Sequence, residues 1–329
     1  MKQLLIFFSL VFYLFSCSSD CEYKVDLKDV KAEIKVKRLE HELFNVASQD
    51  IKKFIQTHPL VVERYKAPNN KDAPEFHQGL YGFYTDKDVV EFYKEGEKLN
   101  NGFKDVESSI VDFYKHIKYY YPSYHIPEVN TIVTGLQNTD FHMEDSLVVI
   151  SIDYFYGKKS RHRPDEFAYM LERREAEFIV PGLAMRVALG QFVERDDKDD
   201  RLLADMVNWG KVHYFMERMM PCVQDSTIIM YTSEQIEEVE NNMPIIWGHF
   251  IENQLFYEIK PDIKRRYVEE SPKVSAIGEK CPGRIGRYLG WQIVKEYMAK
   301  NPEVTLQELM KEKDAVKIFK LSKYKPKAK

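Results

Sequence analysis

The sequence predicts an α+β fold, mostly helical with a small β-sheet, and three observations carry that prediction. Apolar residues recur at helix spacing in both halves of the chain; two short runs rich in β-branched residues lie between the halves; and capping residues mark helix starts in the second half. No internal repeat is present.

Residues 1–16, MKQLLIFFSLVFYLFS, hold one lysine and then an apolar stretch too short to span a bilayer comfortably. That is the pattern of a secretory signal. It ends in Leu14-Phe15-Ser16-Cys17, the order of a lipobox: an apolar residue, a small residue, then the cysteine that receives the lipid. Acyl chains on Cys17 tether a protein to a membrane at about 0.8 kcal/mol per buried CH2. The bland alternative is an ordinary signal peptide followed by an incidental cysteine. No later segment approaches the roughly 20 apolar residues of a transmembrane helix.

Residues 17–33, with the lipidated cysteine at their head, are polar and charge-rich and are expected to be a spacer lifting the domain off the membrane. Residues 34–319 are expected to form a single globular domain, with a subdivision near residue 125 as the alternative. The lysine-rich 320–329, KLSKYKPKAK, is expected to fray.

Cleavage before Cys17 removes Lys2 and no acid from the 48 basic and 52 acidic residues, leaving a net charge of −5. Such a balance gives no sign of a nucleic-acid partner. With 44% hydrophobic residues, among them 20 Phe, 21 Tyr and 3 Trp, the chain can build a sizeable core. Four cysteines are too few for a disulfide scaffold, and with Cys17 acylated an odd number remains. Either one pair forms, Cys222 with Cys281, or Cys21, Cys222 and Cys281 all stay as thiols.

In the first half, Ile51, Phe54 and Ile55 repeat at helix spacing behind Ser48 as a cap; Val89, Val90, Phe92 and Tyr93 form a second apolar face, and Ile110, Phe113, Tyr114 and Ile117 a third. Pro122 and Pro127 close this region. The runs VNTIVTGL (129–136) and DSLVVISID (145–153) are predicted strands. The second half returns to helices. EFIVPGLAMRVALGQF (177–192) places Pro181 where a first turn tolerates it. Residues 199–221 align Leu202, Leu203, Met206, Val212, Phe215, Met216 and Met219 on one stripe. Thr232 with Gln235 reads as a capping box for a helix running toward Phe256, and Thr305 with Glu308 opens the last helix. In CPGRIGRYLGWQIVKEYM (281–298), no strand precedes the glycines, as a dinucleotide loop requires, and no G-K-S/T follows. Gly283, Gly286 and Gly290 instead share one helix face, which predicts close packing of a neighbouring helix.

Catalytic constellations are scarce. None of the nine histidines is separated from another by four residues, so the H-E-x-x-H metallopeptidase motif is absent. His41 begins HELFN, a chance match in which Asn45 stands at the second ligand position. His213 and Glu217 share a helix face with no third ligand nearby, which suits a structural histidine. No G-x-S-x-G elbow exists, and Cys281 is the one thiol near a helix start. The carboxylates Asp165, Glu166, Glu172 and Glu175, interleaved with arginines, are expected to be a solvated, salt-bridged surface.

The lipobox, SIDYFYG, EFIVPGLAMRVAL, WGKVHYFMERMMP, IIWGHFIEN and CPGRIGRYLGWQIVKEYMAKN together resemble the gliding motility lipoprotein GldB family of the Bacteroidota. The likeness covers nearly the whole chain. It implies a cell-envelope lipoprotein needed for gliding, a movement linked to the type IX secretion machinery, and it brings no enzymatic activity.

The second half is also distantly similar to predicted zinc-dependent peptidases, in which an H-E-x-x-H helix is followed by an E-G-x-A helix and a glycine-bearing helix. On that pattern Met185, Arg186 and Leu189 stand where two ligands and the general base belong, and Trp209 stands at the third ligand. Met, Leu and Trp cannot hold a hard zinc site, and Arg186 cannot act as a base. The resemblance therefore implies a degenerate metallopeptidase-like core with its metal lost and no cofactor.

The expected cleft gathers Met185, Arg186, Leu189, Trp209, His213, Glu217, Arg284 and Trp291; alternatively, these side chains fill the vacated space as core. The function expected is that of a non-catalytic binding or assembly component, held at the membrane through Cys17 and partnered by proteins of the gliding machinery. Ser18 and Ser19 carry no inner-membrane retention signal by the enterobacterial rule, which points to the outer membrane. The alternative is an envelope hydrolase with an atypical metal site built from His213 and Glu217.

Overall fold

The two β-branched runs pair in parallel, Val129 beside Val148 and Thr131 beside Ile150, and form the centre of a four-stranded sheet. The computed structural model describes residue 21, residues 23–63 and residues 72–326; the signal segment and Cys17 lie outside these. In chain order the elements begin with β1 (Val36–Arg38), α1 (Leu39–Leu43), α2 (Ile51–Thr57), α3 (Pro59–Val61), α4 (Pro74–Thr85), α5 (Lys87–Leu99) and α6 (Lys104–Tyr120). The sheet is completed by β2 (Glu128–Ile132), β3 (Phe141–Glu144) and β4 (Leu147–Ser151). The second half holds α7 (Ala168–Leu171), α8 (Ile179–Val187), α9 (Leu202–Met219), α10 (Asp225–Ile229), α11 (Ser233–Asn241) and α12 (Met243–Glu252). Last come α13 (Pro261–Val268), α14 (Ile285–Lys300), α15 (Leu306–Lys311) and α16 (Ala315–Ser322). The fold is mostly helical α+β.

The strand order is β1-β2-β4-β3, with β1, β2 and β4 parallel and β3 antiparallel to β4. Both faces of the sheet are covered, which is why β4 reads as an unbroken apolar run. Ile132, Leu147 and Val149 pack with Leu39, Leu43, Phe54 and Tyr84 on one side. Val129, Val148 and Ile150 join the larger core that also holds α6, α8, α9 and α14. The residues before and after 125 therefore share one core through the sheet.

The centre of the second half is α9 against α14. A side-chain carbon added at Gly210 of α9 would lie 2.2 Å from the Gly290 carbonyl oxygen of α14, so the backbones themselves touch. The glycine helix expected from sequence is thus a packing helix. It begins later than the spacing suggested: Arg284 sits in the left-handed region with φ +63°, the helix starts at Ile285, and Gly283 lies in the turn before it. α9 is buried nearly all round rather than along one stripe, taking Lys211, His213 and Tyr214 inside with the apolar residues.

Four further expectations are corrected. Cys222 pairs with Cys21, not Cys281, across a Cα–Cα distance of 4.9 Å. Cys281 is a buried free thiol whose pKa burial pushes up to about 12. The supposed spacer thus returns to the domain at Cys21, and Tyr23 lies edge-on to Tyr214 with Arg218 over its ring, 4.4 Å from the centroid. The helix opened by the Thr232 capping box stops at Asn241, because Asn242 turns and Pro244 sits in the first turn of the separate helix α12. The basic tail is not frayed as far as it is described: α16 runs to Ser322, and Tyr324 packs against Trp247.

Candidate functional site

α9 carries His213 and Glu217 one turn apart, and α14 brings Arg287, Trp291 and Lys295 across from them. The His213 Nδ1 lies 2.7 Å from the Trp209 carbonyl oxygen, one turn back, which makes that nitrogen the donor and leaves Nε2 with the lone pair. Its ring stands between Trp209 and Trp291, with centroids 6.0 and 5.7 Å away. Burial, then the Arg287 charge, pushes the His213 pKa down to about 3, so the imidazole is neutral.

Glu217 accepts from Trp291 Nε1 at 2.8 Å and from Lys295 Nζ at 2.7 Å. Burial raises its pKa above the ordinary range against the pull of those two donors. Both carboxylate oxygens are occupied by side chains of α14.

Arg287 lies on the Trp209 face, 3.6 Å from the ring centroid, and donates from Nε to the Val268 carbonyl. Beside it, Arg284 donates to the carbonyls of Ile229 and Met230, each at 2.8 Å, and stacks on Tyr231. Arg173 reaches the Met230 carbonyl from Nε and Glu270 from a terminal nitrogen at 2.8 Å. Glu270 is thereby ringed by three guanidiniums. Burial raises it, but Arg284, Arg173 and Arg287 outweigh burial and hold it below the usual carboxylate range. Burial and neighbouring arginines push Arg284 down to about 10 and Arg287 to about 9.

Arg173 and Arg284 floor an open polar cleft of about 710 Å³. Tyr169, Glu172, Glu175, Thr232 and Ser271 line its sides. The floor is braced: Tyr231 donates its hydroxyl to the Gly283 carbonyl at 2.6 Å, and Met230 and Arg284 both hold left-handed backbone, an uncommon state for side chains of that size.

The residues expected to converge thus divide. Trp209, His213, Glu217 and Trp291 meet in the α9–α14 seam, and Arg284 is linked through Glu270 to Arg287, which lies on Trp209. Arg186 turns elsewhere, donating to Asp140 at 3.0 Å and lying over the Phe141 ring by the sheet edge. Met185 is half-buried against the core, and Leu189 is 43% exposed. Of the carboxylates expected on a solvated, salt-bridged surface, Asp165 and Glu172 are exposed, while Glu166 is half-buried against Arg174, which also bridges Asp140 with 14% of its side chain exposed. Arg173 and Glu270 were outside the set expected from sequence: Glu270, inside EESPK, reads like any surface acid.

Among the described residues, no three His, Cys, Asp or Glu side chains come together as a metal site, and no helix is long and apolar enough to cross a membrane. The fold and seam define a helical α+β domain in which Glu217 of α9 is tied to Trp291 and Lys295 of α14. The family model for gliding motility protein GldB matches residues 20–326, and the chain belongs to that family. Neither curated proteins nor solved structures give a match. The family ties the chain to gliding motility.

Proposed function

We propose that this protein is a lipid-anchored component of the cell envelope that serves gliding by binding a partner, without catalysis. The observation that carries this reading is how the best catalytic candidates are spent. The Glu217 oxygens accept from Trp291 and Lys295, and the His213 ring, its Nδ1 donating to the Trp209 carbonyl, is buried between Trp209 and Trp291. A carboxylate held by a lysine and an indole is poorly placed to act on a water. In this reading α8 and α9 are a peptidase-like shell with Met185, Arg186, Leu189 and Trp209 at the former zinc positions, and Arg186 braces Asp140. The partner is a protein of the gliding and type IX secretion machinery. The polar cleft over Arg173 and Arg284 is the surface offered to it, because concave sites with a rigid floor and convergent polar groups are where ligands settle. Acyl chains on Cys17 hold the domain to the membrane, the outer one by the residues after the cysteine.

Metal analysis of the purified protein tests the absence of catalysis. The expected result is less than stoichiometric zinc and no change on His213→Ala. Stoichiometric zinc that is lost in His213→Ala supports a hydrolase instead.

A further inference from the structure

A second hollow, apolar and about 730 Å³, lies between α6, the start of α8 and the end of α9. Phe103, Val106, Phe113, Met219 and Met220 line it, and so does Cys222. Cys222 carries the disulfide to Cys21, which stands four residues after the acylation cysteine, Cys17. Four residues reach at most roughly 14 Å when fully extended. The lipid attachment point therefore stays within that distance of Cys21, whose Cα is 4.9 Å from that of Cys222 at the rim. The hollow's volume is in the range of about 300–1,000 Å³ typical of small-molecule sites.

The charges around the rim narrow the choice of lipid. Asp105, Asp112 and Glu177 line it, and no lysine or arginine does among the described lining residues. His116, the remaining titratable side chain there, has its Nδ1 2.8 Å from the Asp112 carbonyl oxygen. A phospholipid would bring its phosphate against three carboxylates. The diacylglyceryl thioether of a bacterial lipoprotein carries no charge.

We propose that this hollow seats one of the acyl chains carried on Cys17, so that the disulfide and the lipid together hold the Cys222 face of the domain against the membrane. The inference rests on the proposed acylation of Cys17. The Cys21–Cys222 bond makes it a short tether: the chain that would otherwise swing from β1 is fixed at the hollow's edge. An apolar lining is close to the bilayer's hydrocarbon as a solvent for an acyl chain, so the exchange costs little.

The test uses the full-length protein made in gliding cells fed a fatty acid with a terminal diazirine, which is irradiated in membranes and mapped by mass spectrometry. The expected result is a crosslink joining the Cys17 peptide to peptides containing Val106 or Met220. It should be lost in Ser109→Trp, where an indole placed at an exposed rim position fills the hollow while circular dichroism stays unchanged. Label on Cys17 that crosslinks only to lipid overturns the proposal. So does a free phospholipid, or a peptide of another protein, captured on Val106 or Met220. An unlabelled Cys17 overturns the anchor itself, and with it the proposal, which separates the two failures.

Discussion

A side-chain carbon on Gly290 would lie 1.7 Å from the backbone oxygen of Met206, with no flexible group between them that could yield. The two central helices therefore meet backbone to backbone. Gly290→Ala must push α14 off α9, and the expected loss is at least about 3 kcal/mol, the upper part of the range for overpacking. Gly248, in α12, has nothing within 4 Å of an added carbon, so Gly248→Ala should be neutral or gain up to about 1 kcal/mol. Urea unfolding of both variants decides; equal stabilities contradict the packing.

His213 makes stability fall in acid. Its folded pKa of about 3 lies below its ordinary 6.5, so the fold holds the neutral ring and the unfolded chain takes the proton first. The contribution is present above pH 6.5 and drains away as pH falls toward 3. Across that gap it amounts to roughly 4–5 kcal/mol. His213→Phe, which cannot titrate, should flatten the acid limb of a stability–pH curve over this interval. Glu217 runs the other way: its raised pKa favours the protonated form, so its contribution is present below the ordinary carboxylate range and lost as pH rises through the folded value. An unchanged acid limb in His213→Phe rules out a buried neutral imidazole.

The disulfide gives a direct peptide readout. Non-reducing digestion should yield a linked pair containing Cys21 and Cys222, while Cys281 alkylates only after denaturation, as its burial demands. Cys222→Ser should cost about 2–5 kcal/mol, the usual scale for a native disulfide closing a long loop. A linked Cys222–Cys281 peptide contradicts the fold around the end of α9.

Much of the fold was legible in the sequence because its signals were local. The β-branched runs became β2 and β4, both capping boxes formed at Thr232 and Thr305, and the glycine run became the packing face of α14. What stayed hidden depended on distant pairing. The three residues of β1 carry no pattern of their own and become a strand only by lying beside β2. Nothing in the spacing of the cysteines says that Cys21 folds back onto α9. The arginine-rich 161–174 reads as surface because composition cannot show that Arg174 meets Asp140, or that Arg173 and Arg284 close on Glu270. In the candidate site, helix spacing brought His213, Glu217 and Trp209 together, while the direction in which Arg186 turns was set by Asp140 and the edge of the sheet.

In the proposed function, a lipid on Cys17 places this protein where gliding needs it. The most direct test is to express Cys17→Ala in gliding cells lacking the native copy, separate membrane from soluble fractions, and score gliding on the same cultures. The expected result is a stable, folded protein in the soluble fraction and cells that no longer glide. A variant that stays in the membrane fraction and restores gliding would contradict it.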